Sequence, residues 1–125
     1  MKIKNIIITF ISAIALVLSS ASISLARVVG DKIILGAAVS LTGKYSTNGE
    51  HTKNGYNFAV ERINSMGGIK VGGKTYKFDI IYYDDESNSG RAAQLAERLI
   101  KQDGVQYMLG PYSSCLLYTS DAADE

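Results

Sequence analysis

Two neighbouring serines, Ser113 and Ser114, are the residues best placed for ligand chemistry in this sequence. They follow the apolar stretch 105–109 and the turn residues 110–112. If a helix begins at the serines, their hydroxyls and the amide groups behind them lie at its positive end, which suits a bound carboxylate. The same residues could equally cap that helix and bind nothing. The spacing leaves both interpretations open.

The acidic stretch 84–86 is a weaker candidate for chemistry. It carries oxygen ligands of the type that divalent cations prefer, but its spacing matches no known cation cage. A solvated lead-in to the next helix is the simpler interpretation, because carboxylates favour a helix N-terminus. The sequence therefore predicts no metal site.

The remaining polar residues do not fit the motifs of nucleotide-binding proteins or of enzymes. The stretch 42–44 shares a Gly-Lys pair with phosphate-binding loops, but the glycine that such a loop requires at position 38 is Ala38 here. The dinucleotide fingerprint G-x-G-x-x-G is also absent. The only histidine, His51, has no evident nucleophile or orienting carboxylate. We expect no cofactor and no enzymatic activity.

The element that must position such a site is the apolar run 32–39. It shows little alternation, which is typical of a strand buried on both faces of a parallel sheet. A polar loop, 40–50, follows it, and a helical pattern runs from about Thr52 to Met66. Ligands of open α/β sheets bind outside the carboxyl ends of the strands, so this loop is expected to face the ligand.

The order of elements then repeats along the chain. A short strand 69–71, a turn at Gly72-Gly73 and a longer strand 74–83 precede a helix that Asn88 or Ser89 caps and Gly104 ends. A third buried strand is predicted at 105–109. This alternation of three strands and two helices predicts an α/β fold with a doubly wound parallel sheet and two right-handed crossovers.

Each predicted helix carries one apolar stripe that should face the sheet. The stripe of the first helix consists of Tyr56, Ala59, Val60, Ile63 and either Met66 or Gly67, and that of the second consists of Ala92, Leu95, Ala96, Leu99 and Ile100.

Both ends of the 125-residue chain show patterns that do not belong to a fold. Residues 1–26 have two early lysines, the apolar run 6–18 and a small-residue ending at Ala26, which predicts a cleaved signal peptide. A membrane anchor is the alternative, but the run is shorter than the roughly 20 residues of a spanning helix. Residues 115–125 match a translated transposase adaptor from sequencing libraries, with a native acidic tail as the alternative. Residues 27–114 are thus the expected domain.

Composition adds two constraints. The chain has 13 Lys and Arg residues against 12 Asp and Glu, a net charge of +1, and no basic stripe, so nucleic acid is not an expected partner. The single cysteine, Cys115, lies in the adaptor-like stretch and gives no evidence of a disulfide.

An ordered set of motifs resembles the leucine/isoleucine/valine-binding type of periplasmic binding protein, the receptors of ABC importers. The set spans essentially all of residues 28–114 and consists of Ser40-Leu41-Thr42-Gly43, Asn48-Gly49, the helix end 63–69, Tyr83-Asp84-Asp85 and Gly110-Pro111-Tyr112-Ser113-Ser114. The resemblance implies a partial first lobe of a two-lobe type I periplasmic binding fold that closes on its ligand.

The same resemblance implies a set of site residues. Ser114, with helix amides, would hold the α-carboxylate of an amino acid, and Ser113 and Tyr112 lie beside it. Asn48 aligns with an aromatic ligand-binding position of some members, so the side-chain pocket differs here. Ser87 and Ser113 correspond to a disulfide of some members, which this chain therefore lacks.

The resemblance also implies the setting in which the protein works. The expected ligand is a branched-chain or related amino acid or an amide, the expected partner is an ABC permease in the membrane, and the expected location is the periplasm. We expect a monomer. Two alternatives are a ligand-sensing domain of the same fold that feeds a regulator, and an exported α/β hydrolase.

Overall fold

A computed structural model describes the backbone of residues 27–121 and the side chains as far as Leu117. The predicted signal peptide, 1–26, and the last four residues lie outside the described residues. Within them, the elements in chain order are β1 (Val28–Val29), β2 (Lys32–Val39), α1 (Ser46–Ser65), β3 (Ile69–Val71), β4 (Lys74–Asp84), α2 (Ser89–Lys101), β5 (Tyr107–Leu109) and α3 (Ser114–Asp121). No helix among these is long and apolar enough to cross a membrane.

Strand β2 is the centre of the sheet. It pairs in parallel with β4 over its whole length, from Lys32 opposite Lys77 to Val39 opposite Asp84. It also pairs in parallel with β5, where Gly36 lies opposite Met108. The carboxyl ends of the three strands therefore meet at one edge, as the predicted parallel sheet requires. The sheet as a whole is mixed, because β1 pairs with β2 and β3 pairs with β4 in antiparallel fashion.

The helices cover opposite faces of the sheet, so the doubly wound prediction is confirmed. On one face Ile34, Leu99 and Val105 form a buried core, against which Ile81, Tyr83 and Met108 pack. Helix α2 contributes Ala92, Ala96 and Leu99 to this face, all fully or nearly buried. Leu95 and Ile100 of its predicted stripe are half-buried.

Gly36 allows this core to form at close range. A Cβ atom there would lie 2.9 Å from Val105 Cγ1 and 3.2 Å from Leu99 Cδ2. Only a residue without a side chain leaves space for both neighbours at the centre of β2.

The opposite face, under α1, is only partly covered. Strand and helix residues there line an open apolar groove of about 680 Å³. Tyr56, Val60 and Ile63 of the predicted stripe line this groove and are half-buried, whereas Met66 is 66% exposed. The prediction of a buried stripe on this helix was therefore too strong, because apolar spacing identifies a face but not what covers it.

Helix α1 begins at Ser46, six residues before the predicted start at Thr52. The first turn is polar and so gave no apolar periodicity. Its packing depends on Gly49, which is buried and whose missing Cβ would overlap the carbonyl oxygen of Ser40. The loop after β2 is consequently shorter than predicted, and Asn48 lies in the first helical turn.

Local signals predicted the second half of the chain better. The Asn88 side chain accepts a 2.9 Å hydrogen bond from the Arg91 backbone N–H, as expected of a cap. Gly104 adopts a left-handed φ of 67° just after α2. Strand β5 begins at Tyr107 and not at residue 105, because the Val105 N–H bonds to the Leu99 carbonyl oxygen instead of a strand. Tyr107 is 55% exposed, so it was wrongly predicted to be buried.

Candidate functional site

Three loops meet at the carboxyl edge of the sheet, where a ligand of such a fold would bind. Loop 40–45 follows β2, loop 85–88 follows β4 and loop 110–113 follows β5. Hydrogen bonds join the first loop to the second, and a ring contact joins the first to the third.

Asp84, the last residue of β4, fixes the beginning of the first loop. Its Oδ1 accepts hydrogen bonds from the backbone N–H groups of Leu41 (2.9 Å), Thr42 (3.2 Å) and Glu86 (2.9 Å). Its Oδ2 accepts one from the Thr42 hydroxyl (2.8 Å). Burial acts to raise the pKa of the Asp84 carboxyl, but these bonds, that of Glu86 being the largest, outweigh it and lower the pKa below 3.8.

Asp85 and Ser40 form a second, fully buried link between the same loops. The Ser40 hydroxyl donates to Asp85 Oδ1 at 2.6 Å, and both residues are 0% exposed. The Ser87 backbone N–H donates to the same oxygen at 2.8 Å. Asp85 Oδ2 has no hydrogen-bond partner among the described residues. Both donors converge on Oδ1, which therefore joins Ser40 of the first loop to the turn at Ser87.

Ser87 forms a third link through its side chain. Its hydroxyl donates to the carbonyl oxygen of Thr42 at 2.7 Å and accepts from the backbone N–H of Tyr45 at 3.0 Å. Ser87 and its neighbour Glu86 both have left-handed backbones, with φ of 61° and 53°. Such a conformation costs about 1–2 kcal/mol for a residue other than glycine, so the surrounding bonds must stabilise it.

The third loop is tied to the first through aromatic residues. The rings of Tyr45 and Tyr112 lie 6.2 Å apart at 53° to each other. The Lys44 ammonium lies 4.6 Å from the centre of the Tyr45 ring. Behind the loop, the Tyr56 hydroxyl of α1 donates a 2.7 Å hydrogen bond to the carbonyl oxygen of Gly110. Tyr112, which is 50% exposed, thus stands beside a second aromatic ring at the edge.

The predicted serines lie at the beginning of α3. Ser114 is its first residue and is exposed, while the carbonyl oxygen of Ser113 accepts from the backbone N–H groups of Leu116 and Leu117, both at 3.0 Å. The Ser113 hydroxyl lies 3.0 Å from Cys115 Sγ. A helix does begin at the serines, and all of its residues after Ser114 belong to the adaptor-like stretch 115–125.

The structure groups the predicted site residues only in part. Tyr112, Ser113 and Ser114 lie together at the exit of β5, whereas Asn48 is exposed on α1. The hydroxyl of Thr52 donates to the Asn48 carbonyl oxygen, and no hydrogen bond within residues 27–121 joins Asn48 to the third loop. Asn48 is at the same edge of the sheet but on a separate element.

Sequence reasoning missed the residues that connect the loops, namely Tyr45, Asp84, Asp85 and Ser87. The available signal was the run of carboxylates and serine at the end of a buried strand, which was interpreted as a solvated lead-in to the helix. That interpretation is wrong for Asp85, which is fully buried. The described residues contain no group of three or more His, Cys, Asp or Glu side chains arranged to hold a metal ion.

The apolar groove under α1 is distinct from this edge. Its lining is almost entirely hydrophobic and includes Leu35, Phe78, Tyr107 and Leu109. The lining contains no charged side chain, so a carboxylate or ammonium group would find no ionic partner there.

Comparisons with known proteins agree with this architecture. Residues 32–125 match the periplasmic binding protein family. The Leu/Ile/Val-binding protein BraC3 of Rhizobium johnstonii is 30% identical over 94 residues, which are 75% of this chain and 24% of that protein. The Leu/Ile/Val-binding protein homolog 8 of Brucella abortus is 30% identical over 90 residues, 72% of this chain and 21% of that protein.

Solved structures show the same fold. The branched-chain amino acid transporter substrate-binding protein LivJ of Streptococcus pneumoniae, in complex with isoleucine, has a TM-score of 0.66 at 27% identity, covering 74% of this chain and 25% of that chain. A solute-binding protein of an ABC transporter from R. palustris, in complex with benzoate, has a TM-score of 0.54 at 26% identity, covering 70% of this chain and 22% of that chain.

The chain spans about a quarter of the length of the relatives it matches. Over that part, the matched residues include every element from β2 to α3, and the three loops at the carboxyl edge lie within them. The α/β sheet is accordingly a partial lobe of the type I fold. On the sequence match and the shared architecture together, this chain belongs to the periplasmic binding protein family.

Proposed function

We propose that the chain is part of an extracytoplasmic solute-binding protein that delivers a branched-chain or related amino acid to an ABC importer. The carboxyl edge of its sheet would form one wall of the ligand site. Closure of a second lobe over that wall would trap the ligand, and ligand would favour the closed form by binding it more tightly. The membrane partner would be the permease of the importer.

One observation carries this proposal: the exposed residues Tyr112 and Ser114 lie together with Ser113 at the exit of β5, at the edge where the three loops meet. The hydroxyls of Ser113 and Ser114 could donate to a carboxylate through charge-assisted hydrogen bonds, each worth roughly 1.5 to 3 kcal/mol. The positive end of a helix that begins at these serines would favour the bound anion.

The ring pair of Tyr45 and Tyr112 supports an apolar ligand body beside that carboxylate. Two related proteins were solved with carboxylic acids of this kind, one with isoleucine and one with benzoate. Both ligands combine a carboxylate with an apolar group, which is the chemistry that the serines and the tyrosine rings offer together. Asn48, on α1, would lie at the periphery and adjust the side-chain pocket.

The test uses the protein encoded by the genomic copy of this gene, without the adaptor-like stretch 115–125. It is titrated calorimetrically with leucine, isoleucine, valine and benzoate. We expect micromolar binding of at least one aliphatic amino acid, and a loss of about tenfold or more in the S114A variant. The matched control is S65A, which removes an exposed hydroxyl at the end of α1. No binding of any of these ligands, or equal affinity of S114A and the unchanged protein, would contradict the proposal.

The 125-residue chain itself should not bind leucine measurably, because one wall supplies only part of the contacts. Micromolar binding by this chain alone would overturn that expectation. Export is tested separately: the mature protein should begin after Ala26, which N-terminal sequencing of periplasmic material would establish.

The identity of the neighbouring genes distinguishes the transport function from the sensing alternative. Permease and ATPase genes beside this one would favour an importer, and a kinase or regulator gene would favour a sensor. The exported hydrolase is not favoured, because the family to which the chain belongs consists of binding proteins.

A further inference from the structure

We infer that Asp84, Asp85 and Ser87 act as a latch that holds the ligand-facing loop 40–45 in place, with Ser87 as its central positioning residue. The inference rests on the proposed function, because it concerns the edge that would receive the ligand. Ser87 is not itself expected to touch the ligand. Its role would be to order the loop before the ligand arrives, which lowers the entropy lost on binding.

The geometry of the Ser87 hydroxyl carries the argument. It is bonded on both sides to the first loop, to the Thr42 carbonyl oxygen at 2.7 Å and to the Tyr45 N–H at 3.0 Å. These two bonds bracket Gly43 and Lys44, the tip of the loop. At Gly43, where φ is 82°, a Cβ atom would lie 2.7 Å from the Ser87 hydroxyl oxygen, so the two loops are in close contact.

The backbone of Ser87 gives a second, independent argument. Two consecutive non-glycine residues, Glu86 and Ser87, are left-handed, a conformation that glycine adopts without strain. Among the residues that the structure describes, the Glu86 side chain forms only an exposed ion pair with Arg91, at 3.2 Å. The Ser87 hydroxyl, in contrast, makes both inter-loop bonds, which glycine could not make. The hydroxyl of Ser87 therefore tethers the first loop, although its backbone is strained.

The latch also reaches the third loop. Tyr45, whose N–H bonds to Ser87, precedes the first residue of α1, and its ring contacts Tyr112. Release of the Ser87 bonds would therefore free both the start of α1 and the aromatic pair. Asp84 would still hold Leu41 and Thr42, so within the first loop the predicted effect is confined to residues 43–45.

A matched pair of glycine substitutions in the protein encoded by the uninterrupted gene tests the latch. S87G relieves backbone strain and removes the hydroxyl, whereas E86G relieves similar strain next to it and keeps the hydroxyl. Three quantities are measured: the dissociation constant for leucine, the thermal midpoint, and amide hydrogen exchange of a peptide covering residues 41–45.

S87G should weaken leucine binding about tenfold and speed exchange at 43–45, with a thermal midpoint that is unchanged or higher. E86G should leave affinity and exchange unchanged. The inference is overturned if S87G changes neither, or if E86G changes both equally. If the unchanged protein binds no leucine, the proposed function fails on its own. Hydrogen exchange then decides the latch: faster exchange in S87G than in E86G supports it, and equal exchange contradicts it.

Discussion

The Tyr56 hydroxyl of α1 donates a 2.7 Å hydrogen bond to the carbonyl oxygen of Gly110, 54 residues further along the chain. This bond connects the middle of the first helix to the loop that carries Tyr112, Ser113 and Ser114. It spans the same face of the sheet as the apolar groove, of which Tyr56 also forms part of the lining.

Removal of this hydroxyl should loosen the third loop. We expect Y56F to lower the free energy of unfolding by about 1 kcal/mol, because a half-buried carbonyl oxygen loses its donor. Urea unfolding measures the loss, and faster hydrogen exchange at 110–113 localises it. The control is Y107F, on a ring that is 55% exposed. Equal stability of the Y56F and Y107F variants would contradict the assignment.

The same tyrosine predicts a loss of stability in alkali. Burial raises the pKa of the Tyr56 hydroxyl above 10.0. A group that binds its proton more tightly when folded stabilises the protein fully below its unfolded pKa and ceases to do so as pH rises through the folded pKa. Stability should therefore fall above about pH 10, and less steeply in Y56F. An identical alkaline slope in both proteins would exclude this contribution from Tyr56.

Two glycines of α1 should respond in opposite ways to alanine. In G49A the new methyl group would overlap the Ser40 carbonyl oxygen, so we expect a loss of roughly 2 kcal/mol. In G55A nothing lies within 4 Å of the new atom, and the higher helix propensity of alanine should stabilise the protein by about 0.5–1 kcal/mol. Thermal unfolding compares the two. Similar effects of both substitutions would contradict the close contact between Gly49 of α1 and the Ser40 carbonyl oxygen.

Asp84 should make stability depend on pH in acid. Its folded pKa is below 3.8, so its contribution is complete above that value and is lost as pH falls through the folded pKa. The unfolding midpoint should decline as pH falls below about 4, and D84N should decline less. The exposed pair of Lys32 and Asp79 is present in both proteins, so its contribution cancels in the comparison. Parallel pH profiles would contradict the role given to the Asp84 hydrogen bonds.

The end of the coding sequence can be checked directly. If residues 115–125 are a translated adaptor, genomic DNA from the same source should depart from this sequence after the Ser114 codon. We expect it to continue into further coding sequence. Genomic codons identical through Glu125 would contradict the adaptor interpretation.

The sequence predicted the features that short stretches of residues determine. The apolar run of β2, the Asn88 cap and the left-handed Gly104 depend on residues within one element, so their types alone were informative. The early start of α1 was missed because it depends on Gly49 approaching Ser40, a contact that no local periodicity records. The exposure of Tyr107 was missed for a similar reason, since an apolar residue does not indicate what covers it.

The site was predictable in part. Ser113 and Ser114 were candidates from their position after the third strand, Tyr112 and Asn48 came from the resemblance, and the binding roles of all four remain predictions. The links through Asp84, Asp85 and Ser87 join residues more than 40 positions apart. Such pairs become neighbours only once β2 and β4 are aligned, so the acidic stretch looked like solvated surface when considered alone.

The uncovered groove under α1 has a practical consequence for anyone who handles this polypeptide. A solvent-exposed apolar surface of this extent binds other apolar surfaces, including those of neighbouring copies of the chain and of dyes such as anilinonaphthalene sulfonate. Solubility, more than affinity, is therefore expected to limit work with the isolated 125 residues, and low concentration with mild detergent is the sensible starting condition.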